Sequence, residues 1–86
     1  MDTRVAVIAI IIENIEAVET VNQLLCENRE YIIGRMGIPY KNKGISIISI
    51  AIDAPQDMIS TLSGKIGRLK GVSTKTAYSN VITKTE

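Results

Sequence analysis

The side chains of this sequence that could transfer protons or form covalent intermediates lack the partners such chemistry needs. Histidine is absent. That removes the usual activator of a serine or cysteine nucleophile and the commonest transition-metal ligand. The single cysteine, Cys26, excludes an intrachain disulfide. Beside the apolar stripe of a helix it is expected to be a small buried hydrophobe. The other reading is a thiolate metal site assembled from several subunits. Acids occur in two close pairs, Glu13 with Glu16 and Asp53 with Asp57. Each pair stands where a helix is expected to begin, so dipole compensation and capping account for them. No P-loop, GxGxxG or metal-ligand spacing is present. The expectation is therefore no catalytic residue, no metal site, no cofactor and no enzymatic activity.

Binding has more to work with. The stretch GRMGIPY, residues 34–40, sets two glycines, a proline, an arginine and a tyrosine among isoleucine-rich sequence. One reading is architectural: Gly34 permits a bulge in an edge strand, Gly37 supplies a positive φ, and Pro39 stiffens a turn. The other reading is functional. Bare backbone at Gly34 and Gly37 lets a ligand or partner approach, with Arg35 to clamp a carboxylate or phosphate and Tyr40 to stack and donate a hydrogen bond. A second basic group, Lys65, Arg68 and Lys70, falls in the latter half of the second expected helix. Cations suit a helix C-terminus, and an anion site or an acidic partner is the alternative. Gly64 and Gly67 in the same helix each cost about 1 kcal/mol against alanine. They mark either a close approach by another element or an early helix end.

The elements that must position these residues come in the order strand, helix, strand, strand, helix, strand. Residues 4–12 read as a strand. In residues 13–30, Ala17, Val18, Val21, Leu24 and Leu25 fall on one helical face, with Asn14 as N-cap. Strands follow at about residues 31–36 and 44–53, joined by the turn-forming segment GIPYKNKG. In residues 54–71, Met58, Ile59, Leu62, Ile66 and Leu69 keep helical spacing, Pro55 opens the first turn, and Gly71 is a natural stop. The last strand covers residues 72–78, with a further extended piece through Val81 and Ile82. This βαββαβ order is the ferredoxin-like plan, an α+β sandwich of a four-stranded antiparallel sheet with two helices on one face.

In that plan strands one and three are central, and here both are apolar on two faces. Ile48, Ile50 and Ile52 lie on one face of strand three, and Ile45, Ile47 and Ala51 on the other. Two helices cover one face only, and a sheet with one wet face should alternate. A second copy of the chain is expected to cover the open face, as a homodimer or homotetramer.

Residues 1–86 are enough for one domain, with the thin stability margin of small chains. Ten basic residues against nine acidic ones argue against a phosphate-tracking surface, so no direct nucleic-acid binding is expected. The apolar run VAVIAIII is far short of the ~20 residues that span a membrane. Acids follow it where a leader would be cleaved, so it reads as a buried strand. A free thiol and no export signal point to the cytoplasm, with no membrane partner.

The segments VNQLLCE, YIIGRMGIPY, GISIISIAIDAPQD and LSGKIGRLKGV together resemble the small proteins called iron-only hydrogenase system regulators, over nearly the whole chain. Their fold is similar to the ACT domain and to the C-terminal domain of the nickel-responsive repressor. The resemblance implies a self-associating module that binds a small effector at or near a subunit interface. By analogy with ACT domains it adds Glu13, Asn14 and Ile15, the turn after strand one, to the candidates Gly34, Arg35, Gly37 and Tyr40. The repressor's metal site uses histidines, so it is not expected here. Its DNA-binding segment is not expected either, since only Met1, Asp2 and Thr3 precede strand one. The alternative is a structural or adaptor protein that dimerises through its sheet and docks a protein partner.

Overall fold

In the computed structural model, which describes residues 2–84, the sheet is built from β1 (Asp2–Ile12), β2 (Ile32–Tyr40), β3 (Ile45–Ala54) and β4 (Val72–Lys84). Its order is β2-β3-β1-β4, antiparallel throughout. Helices α1 (Val18–Glu27) and α2 (Gln56–Gly67) lie on one face. This is the expected ferredoxin-like α+β sandwich with β1 and β3 at the centre. The two-residue period of the central strands sends alternate isoleucines to the helices. Ile8, Ile10 and Ile12 of β1 and Ile50 and Ile52 of β3 are sealed beneath Val21 and Leu25 of α1 and Ile59 and Ile66 of α2. Each fully buried side chain of this kind contributes about 1.5–3 kcal/mol.

The other face carries the remaining half of the alternation. Val7 and Ile11 of β1, and Met36, Ile38 and Tyr40 of β2, keep between 41% and 55% of their surface exposed. The register sets Val7 beside Ala51, Ile11 beside Ile47, Ile38 beside Ile47 and Tyr40 beside Ile45, so these side chains form one continuous patch. Ser49, Asp53 and Lys75 interrupt it. The face is thus apolar but not uniformly so, because period two also sends Ser49 outward from the middle of β3.

Several local expectations need correction. β2 does not end at Met36 but runs through GRMGIPY to Tyr40. The turn is the 3-10 segment Lys41–Lys43, closed by Gly44 at φ 63°. Gly44, not Gly37, supplies the positive φ. Pro39 lies in the strand, which an edge tolerates. A register shift between Ile32 and Gly34 is the anticipated bulge. β4 is one strand to Lys84, with an irregularity opposite the Arg4–Ala6 step of β1. Arg4 braces that irregularity. Its Nε donates to the Ser79 carbonyl at 2.7 Å, an Nη donates to Gln56 Oε1 at 3.0 Å, and the guanidinium stands 5.2 Å from the Tyr78 ring centre.

α2 stops at Gly67, with Arg68 as its C-cap, so Arg68 and Lys70 lie beyond the helix rather than in it. The two glycines have different reasons. A Cβ on Gly64 would meet only the mobile end of Arg68, whereas one on Gly67 would come 2.9 Å from Thr74 Oγ1. Gly67 lets the end of α2 settle onto β4. That contact is polar: Ser63 Oγ donates to Thr74 Oγ1 at 3.2 Å, and Thr76 Oγ1 donates to Ser63 Oγ at 3.1 Å. The hydroxyls satisfy one another, which is why β4 needs few apolar residues toward α2. Cys26 is exposed on α1 rather than buried; an Arg29 Nη donates to its Sγ at 3.5 Å.

Candidate functional site

The turn after β1 divides the residues that the resemblance singled out. Asn14 caps a 3-10 turn, Ile15–Ala17, that leads into α1: its Oδ1 accepts from the Glu16 N–H at 3.2 Å. Its Nδ2 donates to the Lys70 carbonyl at 3.4 Å, and the Glu13 N–H donates to the Gly71 carbonyl at 2.7 Å. Glu13 and Asn14 are therefore tied to the start of β4. An Asn14→Ala substitution should cost about 1 kcal/mol. For a domain of this size that lowers Tm by roughly 4–8 °C, measurable by circular dichroism.

Ile15 stands apart, 81% exposed, leaning toward the β2–β3 hairpin. With Ile12, Pro39, Tyr40, Lys41 and Ile45 it lines a groove of about 190 Å³. The walls are mostly aliphatic, and the polar side chains at hand are those of Tyr40, Lys41 and Ser46. Tyr40 and Ile45 also belong to the open face of the sheet. The groove thus sits on the rim of that face, where β1 turns into α1 and the hairpin closes.

Arg35 and Gly37 face the helix side of β2, opposite Ile50 and Ile48. They line a second groove, of about 240 Å³, between β2 and α1, with Val18 and Asn22 on its far wall. An Arg35 Nη donates to Asn22 Oδ1 at 2.8 Å. Pro39 and Ser46 line both grooves, so the two run along one edge of the molecule. Gly34 lies opposite Ala51, on the open-face side, and joins neither. The seven candidates therefore fall into separate places: Ile15 with Tyr40, Arg35 with Gly37, Glu13 with Asn14 at the β4 junction, and Gly34 alone.

Asn22, Lys41 and Ile45 were not singled out from the sequence. Asn22 had a weak signal, a polar residue flanking the apolar stripe of α1. Ile45 had none, because it looks like any other strand isoleucine. Among the described residues no buried charged side chain occurs, and no group of three acids or thiols is placed to hold a metal ion. No described helix is long and apolar enough to cross a membrane.

Comparison with known proteins places this geometry in a wider setting. A family model described as "TM1266-like: Iron-only hydrogenase system regulator, putative" matches residues 4–76. The structure of TM1266 from Thermotoga maritima, a protein described as uncharacterized, superposes with a TM-score of 0.84 at 32% identity, covering 88% of this chain and 96% of that one. A formyltetrahydrofolate deformylase from Pseudomonas putida KT2440 superposes with a TM-score of 0.66 at 14% identity. The match covers 90% of this chain and 29% of the deformylase, a likeness of fold alone. No curated protein sequence matches the chain.

Proposed function

Because the chain belongs to the TM1266-like family of iron-only hydrogenase system regulators, we propose that it acts in such a system without catalysis, as a self-associating module that binds a small effector. The observation that carries this reading is the placement of the Ile15–Tyr40 groove on the rim of the open apolar face. Four strands about 4.8 Å apart and roughly eight residues long present a face of about 500 Å². Two such faces pressed together bury roughly 1,000 Å², the lower bound for a specific interface. A second copy seated there would border the groove. Ligand contacts with both copies would then couple effector binding to assembly, to the extent that the ligand prefers one state.

The lining suits a small molecule with an apolar part against Ile15 and Ile45 and an anionic part toward Lys41 and the Tyr40 hydroxyl. A thermal-shift screen with amino acids, nucleotides and metal ions tests this. A ligand at ten times its Kd adds about 1.4 kcal/mol, which raises Tm by roughly 6–11 °C. Ile15→Asp should abolish that rise, since the residue is exposed and its loss leaves the fold intact. If no compound stabilises the protein, the effector reading fails and the adaptor reading takes its place.

A further inference from the structure

β2 is an edge strand, and edge strands carry one unpaired row of backbone donors and acceptors. Natural edges are blunted by lysines, inward charges or a covering loop. β2 has a bulge near one end, Pro39 near the other, and between them the stretch Gly34–Ile38 with Arg35 as its one charge. Every residue of this stretch is exposed. A Cβ placed on Gly34 or Gly37 would meet nothing within 4 Å. The groove between β2 and α1 runs alongside. Arg35 stands in its wall, its guanidinium bonded to the neutral carboxamide of Asn22.

We propose that the β2 edge takes up an extended segment of a partner protein as a fifth strand, reading an apolar residue and, two positions later, an acidic one. The sheet is antiparallel throughout, and an antiparallel addition continues its hydrogen-bond pattern. Side chains two apart on the incoming strand point to the same face. Those on the helix side stand next to Arg35 and Gly37. The residue beside Arg35 meets a guanidinium with donors to spare, which favours a carboxylate. The residue beside Gly37 meets the space that the absent side chain leaves against Val18 and Ile48, which favours leucine or isoleucine. Backbone bonds supply affinity and these two positions supply selectivity. The proposal does not depend on the effector reading, because the two selecting positions, Arg35 and Gly37, face the helix side and lie outside the rim groove.

The test is an NMR titration of the full chain with the blocked peptide acetyl-TVLTEVT-amide. Amide shifts should move along Ile32–Ile38 and at Asn22, and the peptide should bind at sub-millimolar concentration. Replacing its glutamate by lysine should weaken binding tenfold or more. Arg35→Gln should weaken the glutamate peptide by a similar factor and leave the glutamine peptide, TVLTQVT, unchanged. A peptide N-methylated on the backbone amides that face β2 should not bind. Three results overturn the proposal: no β2 shifts at millimolar peptide, equal binding of the N-methylated peptide, or intermolecular contacts between β2 strands of two copies without peptide. A Tm screen that finds no effector leaves all of these readouts unaffected.

Discussion

Aspartate in place of Ile11 should abolish the proposed self-association through the open face and leave single chains in solution. Ile11 sits on the open face beside Ile47 and keeps 42% of its surface exposed. Covering that remainder gains on the order of 1 kcal/mol for each copy, and two-fold symmetry doubles every change. Aspartate loses this gain and also places an unpaired carboxylate in the seam, at a further penalty of several kcal/mol. The combined loss of about 3–6 kcal/mol weakens association by roughly 10²–10⁴-fold. Sedimentation velocity at micromolar concentration reads it directly. Glu19→Lys, an exposed change on α1, is the control and should leave the assembly intact. A wild-type protein that sediments as a single chain would remove the basis for self-association through this face.

Alanine at Gly71 should destabilise the fold by about 2–4 kcal/mol, through two separable effects. Gly71 has φ 76°, and its Cβ would fall 2.6 Å from Asn14 Cβ and 3.1 Å from Asn14 N. The left-handed backbone alone costs an L-residue about 1–2 kcal/mol. The clash adds about 1–2 kcal/mol, because Asn14 is held by its cap bond and by Lys70 and has little room to retreat. In a domain with a total stability of about 5–15 kcal/mol this is a large fraction. Tm should fall by roughly 10–25 °C. Gly44→Ala isolates the first effect, since Gly44 has φ 63° and open space around its Cβ; it should cost about half as much. Gly34→Ala, with neither constraint, should be neutral or slightly stabilising. Equal losses at Gly71 and Gly44 would show that the Asn14 contact carries no weight.

The three substitutions also show where sequence reasoning was sharp and where it was blunt. Gly71 was legible as a stop signal because it follows a clear helical period. The positive φ of the hairpin was assigned to Gly37, yet it falls at Gly44. Both glycines border strand-like sequence, and the exact turn depends on the β2–β3 register. That register follows from which isoleucines reach the core, a cooperative choice along two whole strands. Cys26 is exposed, not buried, for a related reason. It lies just off the α1 stripe, and the sheet beneath extends far enough to cover Leu25 but not its neighbour.

The order of elements, the central position of β1 and β3, and the doubly apolar sheet were determined by the sequence alone. They rest on periodicity, which any chain of these residues must obey: period two sends alternate isoleucines to opposite faces, and two helical stripes cover one of them. The grooves were decided by the tertiary structure. Ile15 and Tyr40 are 25 positions apart, and Arg35 meets Asn22 across the gap between a strand and a helix. No local pattern encodes those meetings. They arise when β2 pairs with β3, β3 with β1, and α1 settles on the face so formed, because only packing of the whole sheet fixes which side chains end up at its edge.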